Sequence, residues 1–157
     1  MIYSKWVIGA MPPEAETIRR EVFLQEQGFS AQSQFDAMDE RSWHLLVEEG
    51  GQTVATGRLA LDEKGCWKLG CIAVLPAFRG KHIGDFVVRL LVDRALSMPP
   101  APIYVMAQQH AVNFYRRIGF VPEGEPFAIE GRPHQRMAFP EGASLSGCCG
   151  KQSEYDS

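Results

Sequence analysis

An α+β (mixed α/β) fold, with a central and mostly antiparallel sheet, is predicted by three observations. Short β-rich runs separated by glycine turns fill residues 43–75. They lead into a stretch whose apolar residues recur at helical spacing from Ile83 onward. Strand, helix and further strands then follow to residue 139, the order of a mixed sheet with flanking helices. The chain has 157 residues, 45% hydrophobic and 22% charged, which suits one domain with one core.

Pro12 and Pro13, acids in the next turn, and Gly28 beyond the end mark a helix over 13–27. Residues 30–41 are polar without a period and read as a loop. W-H-L-L-V-E-E (43–49) and T-V-A-T-G-R-L-A-L (53–61) flank Gly50-Gly51, a hairpin signal. Lys64-Gly65 turns the chain into W-K-L-G-C-I-A-V-L (67–75), the third strand of an antiparallel meander. Apolar residues at 83, 86, 87, 90, 91 and 95 define a helix, with Asp85, Arg89 and Asp93 on another face. Pro99 and Pro100 end it. P-I-Y-V-M-A (102–107) is a strand parallel to 67–75, because a helical crossover joins the two. A short helix over 111–120 is closed by Gly119. Strands over 126–130 and 134–139 follow, with a turn at Gly131-Arg132-Pro133. The expected organisation is a single domain over 1–140 and a polar tail over 141–157.

Net charge is −3, so nucleic acid is not an expected partner and any anion site must be local. No apolar run is long enough to cross a bilayer and no signal-type segment opens the chain, so no membrane partner and a cytoplasmic location are expected. Cys66, Cys71, Cys148 and Cys149 lack metal-binding spacing, and no metal is expected.

The most informative stretch is R-G-K-H-I-G (79–84), at the turn from strand to helix. A helix beginning at Ile83 leaves its first N–H groups unpaired and carries partial positive charge there. Gly80 and Gly84 allow close approach of the backbone, and Arg79 and Lys81 add full charges. Together these form a compact anion site suited to a phosphate or diphosphate, or a solvated turn whose glycines relieve strain. Neither a P-loop nor a dinucleotide-binding glycine pattern is present.

V-L-P-A-F-R-G-K-H-I-G resembles the acyl-CoA loop of the GCN5-related N-acetyltransferase (GNAT) family. Arg79 and Gly84 match its pattern, and His82 stands where a middle glycine is usual. A-Q-Q-H-A-V-N-F-Y-R-R-I-G-F (107–120) resembles the family's later motif, at matching separation. R-R-E-V-F-L-Q-E-Q-G-F, Arg58, Ala107-Gln108 and G-R-P-H-Q-R-M resemble a bacterial subfamily of small acetyltransferases of the ElaA-like or YjcF-like kind. The likeness spans about residues 5–139.

The resemblance implies a twisted sheet that splays beside its central parallel pair, with the pantetheine of acetyl-CoA lying in the gap. It implies acetyl transfer from acetyl-CoA, as co-substrate, to an amine acceptor, either a small molecule or a protein amine. The cofactor-binding residues would be Ile72, Ala73, Val74, Arg79, Gly80, Lys81, His82, Ile83, Gly84, Asn113 and Tyr115. The Val74 N–H would meet the thioester oxygen, and Tyr115 would act as general acid toward the thiolate. For the base, Glu26, His44, His110 and His134 are candidates beside a water-mediated route; Glu26 would need a pKa raised by burial. By the resemblance, the first-helix Glu26-Gln27, Gln108 and His134 point at the acceptor side. Arg58 either binds an acidic acceptor or pins a loop through an ion pair. Two other function classes fit: a CoA-binding module without turnover, and acyl transfer from acyl carrier protein. The acids Asp36, Asp39 and Glu40 and the cations Arg41, Arg132 and Arg136 of the expected acceptor region do not select a substrate class. The C-terminal strands offer a surface for a homodimer.

Overall fold

The computed structural model describes residues 1–145. The expected polar tail lies beyond that point for most of its length, and Cys148 and Cys149 are outside the described residues. Ala143 and Leu145, near its start, lie against the main core.

Among the described residues the strands form one eight-stranded sheet in the order β1-β2-β3-β4-β5-β8-β6, with β7 paired to β8. The strands β2 (Ser42–Glu49), β3 (Gln52–Leu61) and β4 (Trp67–Val74) are the expected antiparallel meander. Helix α3 (Ile83–Leu96) crosses over to β5 (Ile103–Gln108), which runs parallel to β4. Helix α4 (Val112–Ile118) ends at Gly119, whose φ of 129° fits a residue without Cβ.

Several expectations need correction. Strand β1 (Ile2–Gly9), absent from the sequence reading, pairs along its length with β2. It is an edge strand with exposed residues on both faces, so the alternation that marks a half-buried strand is missing. Residues 30–41 are not a plain loop: they hold helix α2 (Ala31–Gln34) and a 3-10 turn (Ala37–Arg41) fixed by a capping box between Asp36 and Asp39. The hairpin of β7 (Phe127–Ile129) and β8 (Arg132–Phe139) turns at Glu130-Gly131, both at positive φ, so Arg132 and Pro133 belong to the strand. A two-residue strand, β6 (Val121–Pro122), also joins β8.

The main core lies between α3 and the sheet, where Val87, Val88, Leu91 and Val92 are fully buried. Each such side chain contributes about 1.5–3 kcal/mol by leaving water. Gly57 of β3 lets the helix lie flush: a Cβ there would stand 2.8 Å from Leu91 and 2.9 Å from Val87. On the opposite face lies the first helix, α1 (Pro13–Arg19), which continues as a π-helical segment (Arg20–Glu26). Ile18, Val22 and Phe23 pack there with Phe29 against Ala73 and Leu75 of the central sheet. The end of this wide segment, Glu26 and Gln27, is thereby set over the sheet's open centre.

Candidate active site

The parallel pair is short. Trp67, Lys68 and Leu69 of β4 face Ile103, Tyr104 and Val105 of β5, and no pairing continues past them. A bulge begins where the pairing stops. Thr56 stands opposite Ala73 and Arg58 opposite Gly70, so Gly57 alone faces both Cys71 and Ile72. Cys71 sits at φ 52°, a left-handed conformation that costs a non-glycine residue about 1–3 kcal/mol. The bulge bends β4 away from β5. Between them opens a cleft of about 520 Å³, with Gly70, Cys71 and Ile72 on one wall and Met106, Ala107 and Gln108 on the other.

The open edge of β4 has directed hydrogen-bonding groups. Leu75 N–H donates to Val54 C=O at 2.9 Å, and Ala55 stands opposite Val74. In an antiparallel ladder that makes Ala55–Val74 a pair that exchanges no hydrogen bonds. Val74 therefore turns its N–H and C=O toward the side from which β5 has diverged. Arg79 Nε donates to that C=O at 3.0 Å.

The turn into α3 follows directly. Gly80 has φ 81° and nothing within 4 Å of where a Cβ would be; His82, the N-cap, has φ 64°. Histidine is one of the few non-glycine residues enriched in that region, so the unusual residue is tolerated. Phe86 N–H is bonded back to His82 C=O at 3.1 Å, and the N–H groups of Ile83, Gly84 and Asp85 have no intrahelical acceptor. Lys81 lies over the Phe78 ring at 5.2 Å and near Glu49 at 3.7 Å. Arg79 makes a bidentate pair with Glu26, both contacts at 2.7 Å. These hydrogen bonds hold the Glu26 carboxyl below its ordinary range. The raised pKa that a Glu26 base requires is not what the structure gives.

Tyr115 on α4 lines the cleft and is almost fully buried, and burial pushes its hydroxyl well above the ordinary tyrosine value. Its ring is held edge-on between Phe114 and Phe120. Asn113, two residues before Tyr115 and so on another side of the helix, is exposed.

The far end of the cleft is built from side chains. Arg58 is buried; it pairs with Asp36 at 2.7 Å and Asp39 at 3.0 Å. Asp39 also pairs with the fully buried Arg19 at 2.9 Å. Burial opposes the charge of Arg58, but the Cys71 sulfur and the two carboxylates outweigh it and hold the guanidinium charged. Burial likewise raises the Asp36 carboxyl, and Arg58 more than offsets it. Arg58 thus pins residues 36–39 to the sheet, the second of its two expected roles. His44 lies beneath this cluster and donates from Nε2 to Asp39 C=O at 2.8 Å and to Gly9 C=O at 3.0 Å. It is fully buried, and burial lowers its pKa, so it is a neutral structural donor outside the cleft.

Gln108 bridges the cleft mouth, donating from Nε2 to Gln27 Oε1 at 2.9 Å. His134, its partner across the β5–β8 ladder, lines the cleft between the rings of Phe29 and Phe127. His134 Nδ1 lies 2.9 Å from Arg132 C=O and must carry the proton there, which leaves the lone pair of the neutral ring on Nε2. His110 lies at the exposed rim. The structure thus gathers Glu26, Arg58, Ile72, Arg79, Gln108, Tyr115 and His134 around one cleft. Sequence reading gives no sign that Arg19 pairs with Asp39 or Gln27 with Gln108, because the partners are distant in the chain. Only the D-x-x-D spacing of the cap offered a signal.

Residues 10–140 match the acetyltransferase (GNAT) domain family. The uncharacterized N-acetyltransferase YjcF of Bacillus subtilis is 31% identical over 125 residues, covering 79% of this chain and 89% of that protein. Protein ElaA of Escherichia coli is 30% identical over 125 residues, covering 77% of this chain and 82% of its own. The ElaA crystal structure superimposes with a TM-score of 0.79 at 26% identity, covering 89% of this chain and 100% of that one. The family match over most of the chain and the splayed parallel pair agree: this chain belongs to the GNAT acetyltransferase family and is an acyltransferase enzyme.

Proposed function

We propose that the protein transfers the acetyl group of acetyl-CoA directly to an amine. The observation that carries this reading is the open edge of β4, with Val74 N–H turned away from β3 toward the side of the diverged β5, beside a cleft whose lining reaches Arg79 at the turn before α3. A pantetheine arm has amides that match such an edge, and its diphosphate suits the backbone N–H groups and positive end of a helix. Residues Ile72–Val74 would flank the arm, residues 80–84 with Lys81 would meet the diphosphate, and Asn113 would reach the CoA arm. Arg79, joined to Val74 and Glu26, braces the two walls of this site.

In the reaction the amine nitrogen bonds to the thioester carbon, and the carbon–sulfur bond breaks. Val74 N–H donates to the oxygen as negative charge gathers on it. The amine proton passes to a base, for which His134 Nε2 is best placed by its fixed tautomer. Tyr115 stays protonated through the neutral range and donates to the departing sulfur. No helix among the described residues is long and apolar enough to cross a membrane.

The test is release of free thiol from acetyl-CoA across an amine library, beside a thermal shift with CoA. Amine-dependent release supports the transfer. Stabilisation by CoA without release for any amine would point instead to a CoA-binding protein, and faster turnover of an acyl carrier protein thioester to the other donor.

A further inference from the structure

The charges around the acceptor end, ambiguous in the sequence, are sorted by the fold. Each carboxylate on the cleft wall is matched: Glu26 by Arg79 at 2.7 Å, and Asp36 by Arg58 at 2.7 Å. Asp39, behind the wall, is shared by Arg19 and Arg58. Arg136 is matched by Glu123 at 2.8 Å. Among the described residues no carboxylate lies within ion-pair distance of Arg132, nor of Arg41 or Lys68; of these three, Arg132 alone lines the hollow beside the cleft. The nearby Glu130 accepts from Ser30 with both oxygens, at 3.0 Å from the N–H and 2.9 Å from the hydroxyl, and attracts Arg132 only from beyond ion-pair distance.

Arg132 is nevertheless held in place. Its guanidinium lies over the Phe29 ring at 4.6 Å. Gly28, at φ 80°, makes room, since a Cβ there would stand 3.1 Å from the Arg132 Nη2. The aromatic face orients the guanidinium without using its N–H donors. The hollow, of about 360 Å³, is lined by Arg132 with Gln108, Gln109, His110 and Pro133. Gln108 and His110 line the main cleft as well, so the hollow adjoins the cleft. Lys68 adds a further positive charge to the cleft wall.

We propose that the acceptor carries a carboxylate beside its amine, and that Arg132 receives this carboxylate in the hollow while the amine faces the cleft. A planar fork with unspent donors fits a carboxylate with two parallel hydrogen bonds. The inference deepens the transferase reading and rests on it.

The experiment uses L-α-amino acids and short peptides, each beside its C-terminal amide, with acetyl-CoA as donor. The acid of a matched pair should exceed its amide in kcat/KM by about tenfold or more, expressed in KM. Arg132→Gln should cost the acid about tenfold more than the amide, Arg132→Lys should keep part of the preference, and Arg132→Glu should reverse it. If no amine releases thiol, the transferase reading fails separately. Ligand-detected NMR on CoA-saturated protein then compares the same pairs, and preferential binding of acids, lost in Arg132→Gln, sustains the carboxylate site. Acids that neither turn over nor bind better than their amides, or a preference that survives Arg132→Gln, overturn it.

Discussion

The two ends of the cleft are made of different materials. The end at the α3 turn is made of backbone: a strand edge whose Val74 N–H is turned away from β3, positive φ at Gly80 and His82, and the first N–H groups of a helix. The acceptor end is made of side chains contributed by distant segments, with Arg19, Asp36, Asp39 and Arg58 locked in one buried cluster. On the proposed reading, backbone would recognise what all thioester donors of one type share, and side chains would be free to select among acceptors. One fold could then keep its donor while changing its substrate.

The sharpest way to break the contrast is at the cluster. Asp39→Ala leaves two buried guanidiniums without their shared partner, and stability should fall by about 3–5 kcal/mol in urea unfolding. Acceptor KM should rise in the surviving folded protein while CoA affinity holds. A loss under 1 kcal/mol would mean that water replaces the carboxylate and that the acceptor end is not rigidly built.

Tyr115→Phe comes next. Its hydroxyl makes no hydrogen bond to another described residue, so stability should change little, while turnover should drop about a hundredfold at unchanged CoA affinity. Unaltered turnover would remove Tyr115 from the chemistry.

At the backbone end, His82→Gly relieves a left-handed residue. It should raise stability by about 1 kcal/mol without weakening CoA. Weaker CoA binding in this variant would give the imidazole a direct role in holding the anion.

The smallest effect is expected from Glu26→Gln. The Glu26–Arg79 pair is partly exposed, so its removal should cost under about 1 kcal/mol. Because the folded carboxyl titrates below its ordinary value of 4.5, the stabilisation is present above that value and disappears as pH falls through the lowered one. The neutral-range limb of the rate profile should persist in Glu26→Gln. Its disappearance would restore Glu26 as the base.

Legibility in the sequence follows the same division. The meander, the crossover and the turn at 79–84 were readable, because glycine placement and helical spacing are local signals. The acceptor end was not. Arg58 stands 22 residues from Asp36, and Arg19 stands 20 from Asp39, so neither pair leaves a trace in any short window. The π-helical segment also had no signal. Its widening rests on bonds such as Gln27 N–H to Val22 C=O at 3.1 Å rather than on residue type. In the sequence Arg132 is one cation among several, since its place over the Phe29 ring depends on residues about a hundred positions away.

The bulge at Cys71 has a consequence for assembly. An unpaired strand edge on a protein's rim is a template on which other chains can polymerise. Here the vacancy is internal, flanked by β5 on one side and roofed by the π-helical segment, which shields it from other chains. On the proposed reading, the extended arm of a small molecule would take the place of one more strand.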